Sequence, residues 1–207
     1  PESIAEILSE DREHVDPADC NTAVFYSISN CQVGLRGVSF GNFLIKQVAR
    51  DLSEELPQLK TFVTLSPVPT FKGWLTKQAD QSAAVKQLLE QTADADWYDK
   101  SGPAPALQEQ IMSLASHYFL NAKGKGDLPY DPVERFHLGN GAILDRINWM
   151  GDPSAKGQDN ALGLMVNYRY DLDQVEKNHE LFTSQGAINY AKPLLKLAKK
   201  GEALTAG

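Results

Sequence analysis

The chain has 207 residues, of which 42% are hydrophobic and 23% are charged, so it is long enough to bury the core of one ordinary globular domain. A formal net charge of −7 without a long basic run argues against nucleic acid as a partner, and no stretch approaches the ~20 apolar residues of a membrane span. The N-terminus has no signal-peptide pattern and the two cysteines form no CxxC motif, which favours a reducing compartment and predicts a cytoplasmic location.

The first elements in chain order are predicted to be a helix, a strand, a glycine-bearing loop, a helix and a second strand. A capping box of Ser3 and Glu6 predicts a helix over residues 3–13, and residues 23–29 form a short β-rich run. A second helix opens at Asn42, and its predicted core stripe is Leu44, Val48, Leu52 and Leu56, widened by Ile45 and Ala49. The second strand covers residues 61–65.

The loop before the second helix carries Gly34, Gly37 and Gly41. A glycine loop that leads into a helix N-terminus presents free backbone N–H groups and the positive end of the helix dipole, which suits a phosphate or pyrophosphate. The alternative is that the glycines only turn the chain. The spacing matches neither a Walker loop nor the dinucleotide fingerprint. Arg36 is the one fixed cation of the loop, either as an anion ligand or as a solvated charge.

The middle of the chain changes character. Helices are predicted over residues 82–90 and 104–121, and the stretch 77–130 is interpreted as a helical insertion between strands of the main sheet. Asp131-Pro132 then starts a short helix, because an N-cap residue is followed by proline in the first turn. Residues 164–170 alternate as a strand, and a final helix is predicted from about 184 to 200, kinked at Pro193.

Two side chains are candidates for chemistry. Ser66 lies where the second strand ends, the position at which mixed sheets bind ligands, although a serine before proline also suits a plain turn. His137 ends a short helix before a Gly-Asn-Gly turn, where it either faces a pocket or binds helix carbonyls. Asn140, Asn148, Asn167 and Tyr170 either satisfy backbone groups or line a polar pocket. No two histidines have the spacing of metal ligands, so no metal is predicted.

Dispersed blocks of this sequence resemble the malonyl-CoA decarboxylase family. The matching blocks are FYSIS (25–29), GLRGV (34–38), GNFLIK (41–46), LSP (65–67), FHLGNGA (136–142), RINWM (146–150), GLM (163–165) and NYRY (167–170). The resemblance implies an α/β (α+β) fold, a GNAT-like mixed central sheet flanked by helices, with the helical insertion at about 77–130. Residues 1–207 would then be most of the family's catalytic domain without its start, and the family's N-terminal helical domain would be absent.

The resemblance also implies a site. The loop from Arg36 to Asn42 would hold the pyrophosphate of coenzyme A through Arg36, Gly37, Val38, Ser39, Phe40, Gly41 and Asn42. Ser66 and His137 match the family's catalytic serine and histidine. Coenzyme A would be part of the substrate, with no further cofactor, and the full-length protein is expected to be a homo-oligomer. Ser39 stands where animal members carry a glutamate, and the C-terminus lacks their peroxisomal Ser-Lys-Leu address.

The hypothesis is therefore decarboxylation of malonyl-CoA to acetyl-CoA and CO₂. His137 would donate a proton to C2 of the enolate, Ser66 would orient and polarise the malonyl group, and Asn167 and Tyr170 would line the acyl pocket. One alternative is a GNAT-type acyltransferase that uses acyl-CoA, with a base for an incoming amine. Another is a non-catalytic module that binds acyl-CoA.

Overall fold

A four-stranded mixed sheet flanked by helices forms the centre of the molecule. The computed structural model describes residues 2–12, 15–26, 28, 40–94, 97–98 and 105–206, and for residues 40–43 the backbone alone. The strand order is β1-β2-β4-β3, with β1 parallel to β2 and β4 antiparallel to both of its neighbours. The strands are β1 (Thr22–Tyr26), β2 (Thr61–Pro67), β3 (Ile143–Asn148) and β4 (Met165–Arg169). The predicted class, an α/β GNAT-like mixed sheet flanked by helices, is confirmed.

The helices of the described ranges are α1 (Ile4–Leu8), α2 (Phe40–Glu55), α3 (Phe71–Gln78), α4 (Ala83–Gln91), α5 (Pro105–Asn121), α6 (Pro132–Gly139), α7 (Ala155–Ala161), α8 (Val175–Gln185) and α9 (Lys192–Thr205). Short 3₁₀ turns lie at Pro17–Asp19 and Lys125–Asp127. Within the part of the chain that the structure describes, no helix has the length and apolarity needed to cross a membrane.

Side-chain caps fix several helix starts. Ser3 accepts a hydrogen bond from the Ala5 N–H, yet α1 ends at Leu8, so the predicted helix over 3–13 is too long. Asp131 caps α6, as the sequence predicts, and Ser82 caps α4, which begins at Ala83 inside the predicted helix over 82–90. The strand predicted at 23–29 is described as Thr22–Tyr26, and residues 27 and 29 lie outside the described residues.

The apolar stripe predicted for α2 is partly wrong. Leu44 and Val48 are 54% and 42% exposed, whereas Ile45 and Ala49 are buried. Residues spaced four apart advance 400° per step at 100° per residue, so the line through them turns about 40° each time. The predicted stripe therefore winds around α2, and only its later part faces the core.

The single kinked helix predicted at the C-terminus is wrong. Two helices occupy this region, because Gly186 ends α8 in the left-handed conformation at φ 65° and Pro193 lies in the first turn of α9. Glycine commonly follows the end of a helix, and proline commonly lies in the first turn of one. Helix α9 also continues beyond Lys200, where the prediction placed its end, to Thr205.

The core lies between the sheet and its helices. The helical spacing predicts a core face of Leu107, Ile111, Leu114, Ala115 and Tyr118 on α5; the last four are buried, and Leu107 is partly buried against the core. Helices α4 and α5 lie within the stretch 77–130, and its interpretation as an insertion in the sheet stays a prediction.

Gly201 marks the closest approach of α9 to α5. A Cβ atom added there would lie 2.2 Å from the Ser113 carbonyl oxygen and 2.7 Å from the His117 Cβ. We expect Gly201→Ala to lower the free energy of unfolding by about 1–3 kcal/mol, because the two backbones would have to separate. Urea unfolding measures this change.

The matched control is Gly73→Ala in α3. A Cβ at Gly73 meets no atom within 4 Å, so alanine is expected to raise helix stability by up to about 1 kcal/mol. If the Gly201 variant unfolded like the Gly73 variant, the close packing of α5 and α9 would be incorrect.

Candidate active site

Ser66 and His137 are in direct contact although 71 residues separate them in sequence. Ser66 Oγ lies 3.1 Å from His137 Nε2, and both side chains are buried. Ser66 is on β2 and His137 is in the last turn of α6. The structure therefore brings together the two residues that the sequence singles out for chemistry.

The local structure explains why these side chains meet. Residues alternate between the faces of a strand, so Ser66 shares one face of β2 with Thr64. Helix α6 begins at its Asp131 cap, and it carries His137 onto the sheet. There the imidazole stacks on Tyr168 of β4, with ring centroids 4.4 Å apart and planes 23° apart. The stacking fixes the ring over β4 with Nε2 toward β2.

Hydrogen bonds continue in both directions from this contact. The Tyr170 hydroxyl lies 2.9 Å from His137 Nδ1, and the Ser66 hydroxyl donates to Thr64 Oγ1 at 2.9 Å. The sequence predicts a site role for Tyr170 but does not single out Thr64. The signal was available in the two-residue period of β2, which places position 64 beside Ser66.

Burial sets the ionisation of the site. Because the imidazole has lost its water, the pKa of His137 falls to about 3, so the free site holds a neutral ring at neutral pH. Burial also raises the pKa of the Tyr170 phenol, which therefore keeps its proton. The pair is thus a neutral imidazole and a neutral phenol.

Asn167 is buried and bonded within the sheet. Its Nδ2 donates to the Thr64 carbonyl at 2.7 Å, and its Oδ1 accepts from Asn148 Nδ2 at 2.9 Å and from Arg146 Nε at 3.3 Å. Asn140 instead donates to the Phe136 carbonyl at 2.7 Å, near the end of α6. Both asparagines therefore satisfy backbone groups, which is one of the two roles that the sequence leaves open.

The predicted coenzyme loop falls largely outside the described residues. Arg36, Gly37, Val38 and Ser39 lie outside the described residues. Of Phe40, Gly41 and Asn42, the backbone alone is described. Within the ranges that are described, no three His, Cys, Asp or Glu side chains are grouped as a metal ion would require.

Glu134 is a buried carboxyl group that the sequence analysis does not identify. It lies one turn before His137 on α6, is fully buried, and neither of its oxygens has a hydrogen-bond partner among the described residues. Burial, followed by the negative charge of Asp131, raises the pKa of Glu134 well above its usual range.

Asp131 differs from Glu134 because its carboxylate is well bonded. It accepts from the Thr70 and Tyr118 hydroxyls, each at 3.0 Å, and from the backbone N–H groups of Val133 and Glu134 at 2.8 and 3.1 Å. Four donors stabilise its charge. Asp131 therefore has hydrogen-bond partners for its carboxylate, whereas Glu134 has none among the described residues and its raised pKa favours the protonated acid.

The fold and site define a class of protein, an α/β domain with a buried serine–histidine pair suited to acid–base chemistry. A family model described as "Malonyl-CoA decarboxylase C-terminal domain" matches residues 1–205. The chain therefore belongs to the malonyl-CoA decarboxylase family.

Curated relatives agree with this assignment. The chain is 37% identical to mitochondrial malonyl-CoA decarboxylase of Rattus norvegicus over 199 residues, which cover 84% of this chain and 40% of the rat protein. It is 34% identical to the mitochondrial protein of Anser anser anser over 210 residues, which cover 90% of this chain and 42% of that protein. The chain thus spans less than half the length of these relatives.

Solved structures agree as well. The crystal structure of malonyl-CoA decarboxylase from Rhodopseudomonas palustris matches with a TM-score of 0.89 at 48% identity, over 95% of this chain and 46% of that one. The protein from Agrobacterium vitis matches with a TM-score of 0.90 at 46% identity, over 96% of this chain and 50% of that one. At these identities the likeness extends to sequence as well as fold.

The raised pKa of Glu134 predicts how stability depends on pH. The folded protein keeps a proton that the unfolded chain releases above the ordinary glutamate pKa of about 4.3, so stability falls as the pH rises from there through the raised value. Glu134→Gln removes the ionisable carboxyl group and therefore this fall in stability with rising pH. We expect the variant to be more stable than the wild type at pH 8 and the difference to shrink toward pH 4, as measured by urea unfolding.

Glu90→Gln is the control, because it makes the same substitution at an exposed position on α4. A Glu134→Gln difference that stayed constant from pH 4 to pH 8 would contradict the assignment of a buried, protonated carboxyl.

Proposed function

We propose that this chain is the part of a malonyl-CoA decarboxylase that converts malonyl-CoA to acetyl-CoA and CO₂. The supporting observation is the 3.1 Å contact between Ser66 Oγ and His137 Nε2 at the end of β2, in a chain of this family. The chain covers less than half of its curated relatives, so the activity is proposed for the intact protein.

The chemistry needs little from the protein. Loss of CO₂ from a malonyl thioester leaves the bonding electrons on C2, and the thioester carbonyl delocalises them as an enolate. The thioester carbonyl that accepts these electrons is part of the substrate, as is the coenzyme A portion. The protein must hold the carboxylate out of the carbonyl plane, stabilise the enolate oxygen and protonate C2.

His137 is the proposed proton donor. The free imidazole is neutral, but a bound malonyl carboxylate would place a negative charge beside it and raise its pKa, so the ring would take up a proton with the substrate. When the carboxylate leaves as CO₂, the imidazolium gives its Nε2 proton to C2, which leaves a neutral ring with its remaining proton on Nδ1, and proton exchange with solvent restores the free site. One proton is consumed for each acetyl-CoA formed, and the charges balance.

Ser66 is the proposed orienting group. A serine hydroxyl is a weak base, and Ser66 donates its proton to Thr64 in the free site. With substrate bound, the hydroxyl can turn to donate to the malonyl carboxylate or the thioester oxygen. Because the Ser66 hydroxyl lies next to His137 Nε2, a malonyl group bound to it would have C2 close to the proton that C2 receives. Tyr170 would support the opposite side of the imidazole through Nδ1.

The rest of the substrate site is proposed from the family. Arg36 to Asn42 would hold the coenzyme A pyrophosphate, since glycine loops before helices present backbone N–H groups to phosphates. Homo-oligomerisation of the intact protein, the cytoplasmic location and the lack of a metal or separate cofactor stay predictions.

An acyltransferase is the second candidate, because it would use the same coenzyme site on the same type of sheet. It needs a free base for the incoming amine. The described site provides only His137, whose Nδ1 is already bonded to Tyr170. Incubation with malonyl-CoA and no acceptor distinguishes the two, since only a decarboxylase then forms acetyl-CoA and CO₂. A binding module would bind malonyl-CoA without any turnover.

His137→Asn tests the proton donor in the intact protein. Loss of a positioned acid typically costs about 10²–10⁴-fold in rate, so we expect CO₂ release to fall by that amount while calorimetry shows that malonyl-CoA still binds.

The matched control is His117→Asn, a half-buried histidine on α5 outside this site, which is expected to keep its turnover. Near wild-type CO₂ release by His137→Asn would reject the role of the imidazole.

A further inference from the structure

Hydrogen bonding between β2 and β4 changes beside the active site. The register pairs Val63 with Arg169 and Ser66 with Val166, which places Thr64 opposite Tyr168. In this described part of the sheet, the Thr64–Tyr168 backbone pair is missing from the ladder. The Tyr168 N–H donates to Thr64 Oγ1 at 3.1 Å instead, and the Thr64 carbonyl accepts from the Asn167 side chain at 2.7 Å. Side chains have replaced backbone partners at this point.

This replacement fixes the Thr64 hydroxyl. A backbone N–H can only donate, so one acceptor position of Oγ1 is permanently occupied by Tyr168. The other faces Ser66, whose hydroxyl donates to it at 2.9 Å. Thr64 is fully buried, so no water competes for either position.

The direction of the remaining hydrogen bonds follows from proton counting. Ser66 has one hydroxyl proton, and it is used toward Thr64. With the Ser66 proton on Thr64, the 3.1 Å contact with His137 would use an N–H on Nε2 as donor. A neutral imidazole has a single N–H, so Nδ1 would then accept from the Tyr170 hydroxyl at 2.9 Å.

We propose that Thr64 is a positioning residue that directs the hydrogen bonds from Tyr170 through His137 and Ser66 to Thr64, and so holds the imidazole with its proton on Nε2. That nitrogen faces Ser66, where the malonyl group would lie. The effect of this tautomer on catalysis therefore rests on the proposed function. A threonine kept only for strand formation would be replaced without loss by valine, which has the same shape and an equal preference for strands.

Nitrogen NMR of the intact protein labelled with ¹⁵N-histidine tests the proposal directly, because the two neutral tautomers give different ring ¹⁵N shifts. The His137→Asn variant identifies the His137 signals by their disappearance. We expect the Nε2–H form in the wild type and in Thr64→Ser. In Thr64→Val the Ser66 proton loses its acceptor and turns to Nε2, so the Nδ1–H form is expected.

Turnover of malonyl-CoA provides the second measurement. We expect Thr64→Val to lower kcat by about 10–100-fold, the cost typical of removing a partner that orients a reactive side chain. KM should change little, and Thr64→Ser should recover most of the rate. Thr92→Val is the matched control, because Thr92 is also buried and its hydroxyl donates only to helix carbonyls, those of Leu88 and Leu89.

The outcomes are separable. An Nδ1–H tautomer in the wild type overturns the proposal without any variant, so it stays testable even if Thr64→Val does not fold. Retention of the Nε2–H tautomer and the full kcat in Thr64→Val also overturns it. A wild-type protein that releases no CO₂ rejects the proposed function instead, while the NMR result still decides the direction of the hydrogen bonds.

Discussion

The packing of one imidazole against two neighbouring strands holds this site together. His137 contacts Ser66 of β2, stacks on Tyr168 of β4 and meets the Tyr170 hydroxyl just after that strand. None of these partners lies on the helix that carries the ring. The site therefore requires both the packing of α6 on the sheet and the pairing of β2 with β4. Asp131 helps to place α6, because it caps this helix and also accepts hydrogen bonds from Thr70 and Tyr118, which lie outside it.

Desolvation is the second constraint, and it determines which groups carry charge. The same burial that lowers the pKa of His137 raises that of Glu134 and that of Tyr170. Burial therefore favours the neutral form of these three groups, whereas the carboxylate of Asp131 accepts four hydrogen bonds. A carboxyl left without a partner costs stability, and such conflicts concentrate at functional sites. A neutral site is also one in which an arriving carboxylate would have a large electrostatic effect.

Local signals in the sequence predict the parts of this structure that depend on near neighbours. Ser82 and Asp131 as caps, and the buried face of α5, follow from residues within a few positions of one another. The face of α2 was predicted only in part, because its apolar residues cover a wide arc and only some of them, such as Ile45 and Ala49, are buried. The two C-terminal helices were readable, since Gly186 and Pro193 are the usual stop and start residues.

The residues of the site also differ in whether near neighbours in the sequence predict them. Ser66 and His137 are predictable because a strand end and a glycine turn mark them, and because they resemble family motifs. The period of β2 places Thr64 beside Ser66, but the roles of Thr64 and Glu134 are not predictable, because they depend on distant partners. The Thr64 hydroxyl matters because of the Tyr168 N–H, 104 residues away. Glu134 differs from an ordinary solvated helix residue only because the docked helix buries it completely.

The direction of the hydrogen bonds bears on the kind of chemistry that this arrangement suits. In a serine–histidine–aspartate triad, the serine donates to the histidine and an aspartate accepts from Nδ1, which prepares the serine as a nucleophile. Here Ser66 donates away from the ring, and Nδ1 meets a phenol rather than a carboxylate. With the proposed tautomer, the ring would have no lone pair facing Ser66 and could not take its proton. An Nε2–H directed at the acyl position suits donation to a carbanion, which decarboxylation requires and acyl transfer to an amine does not.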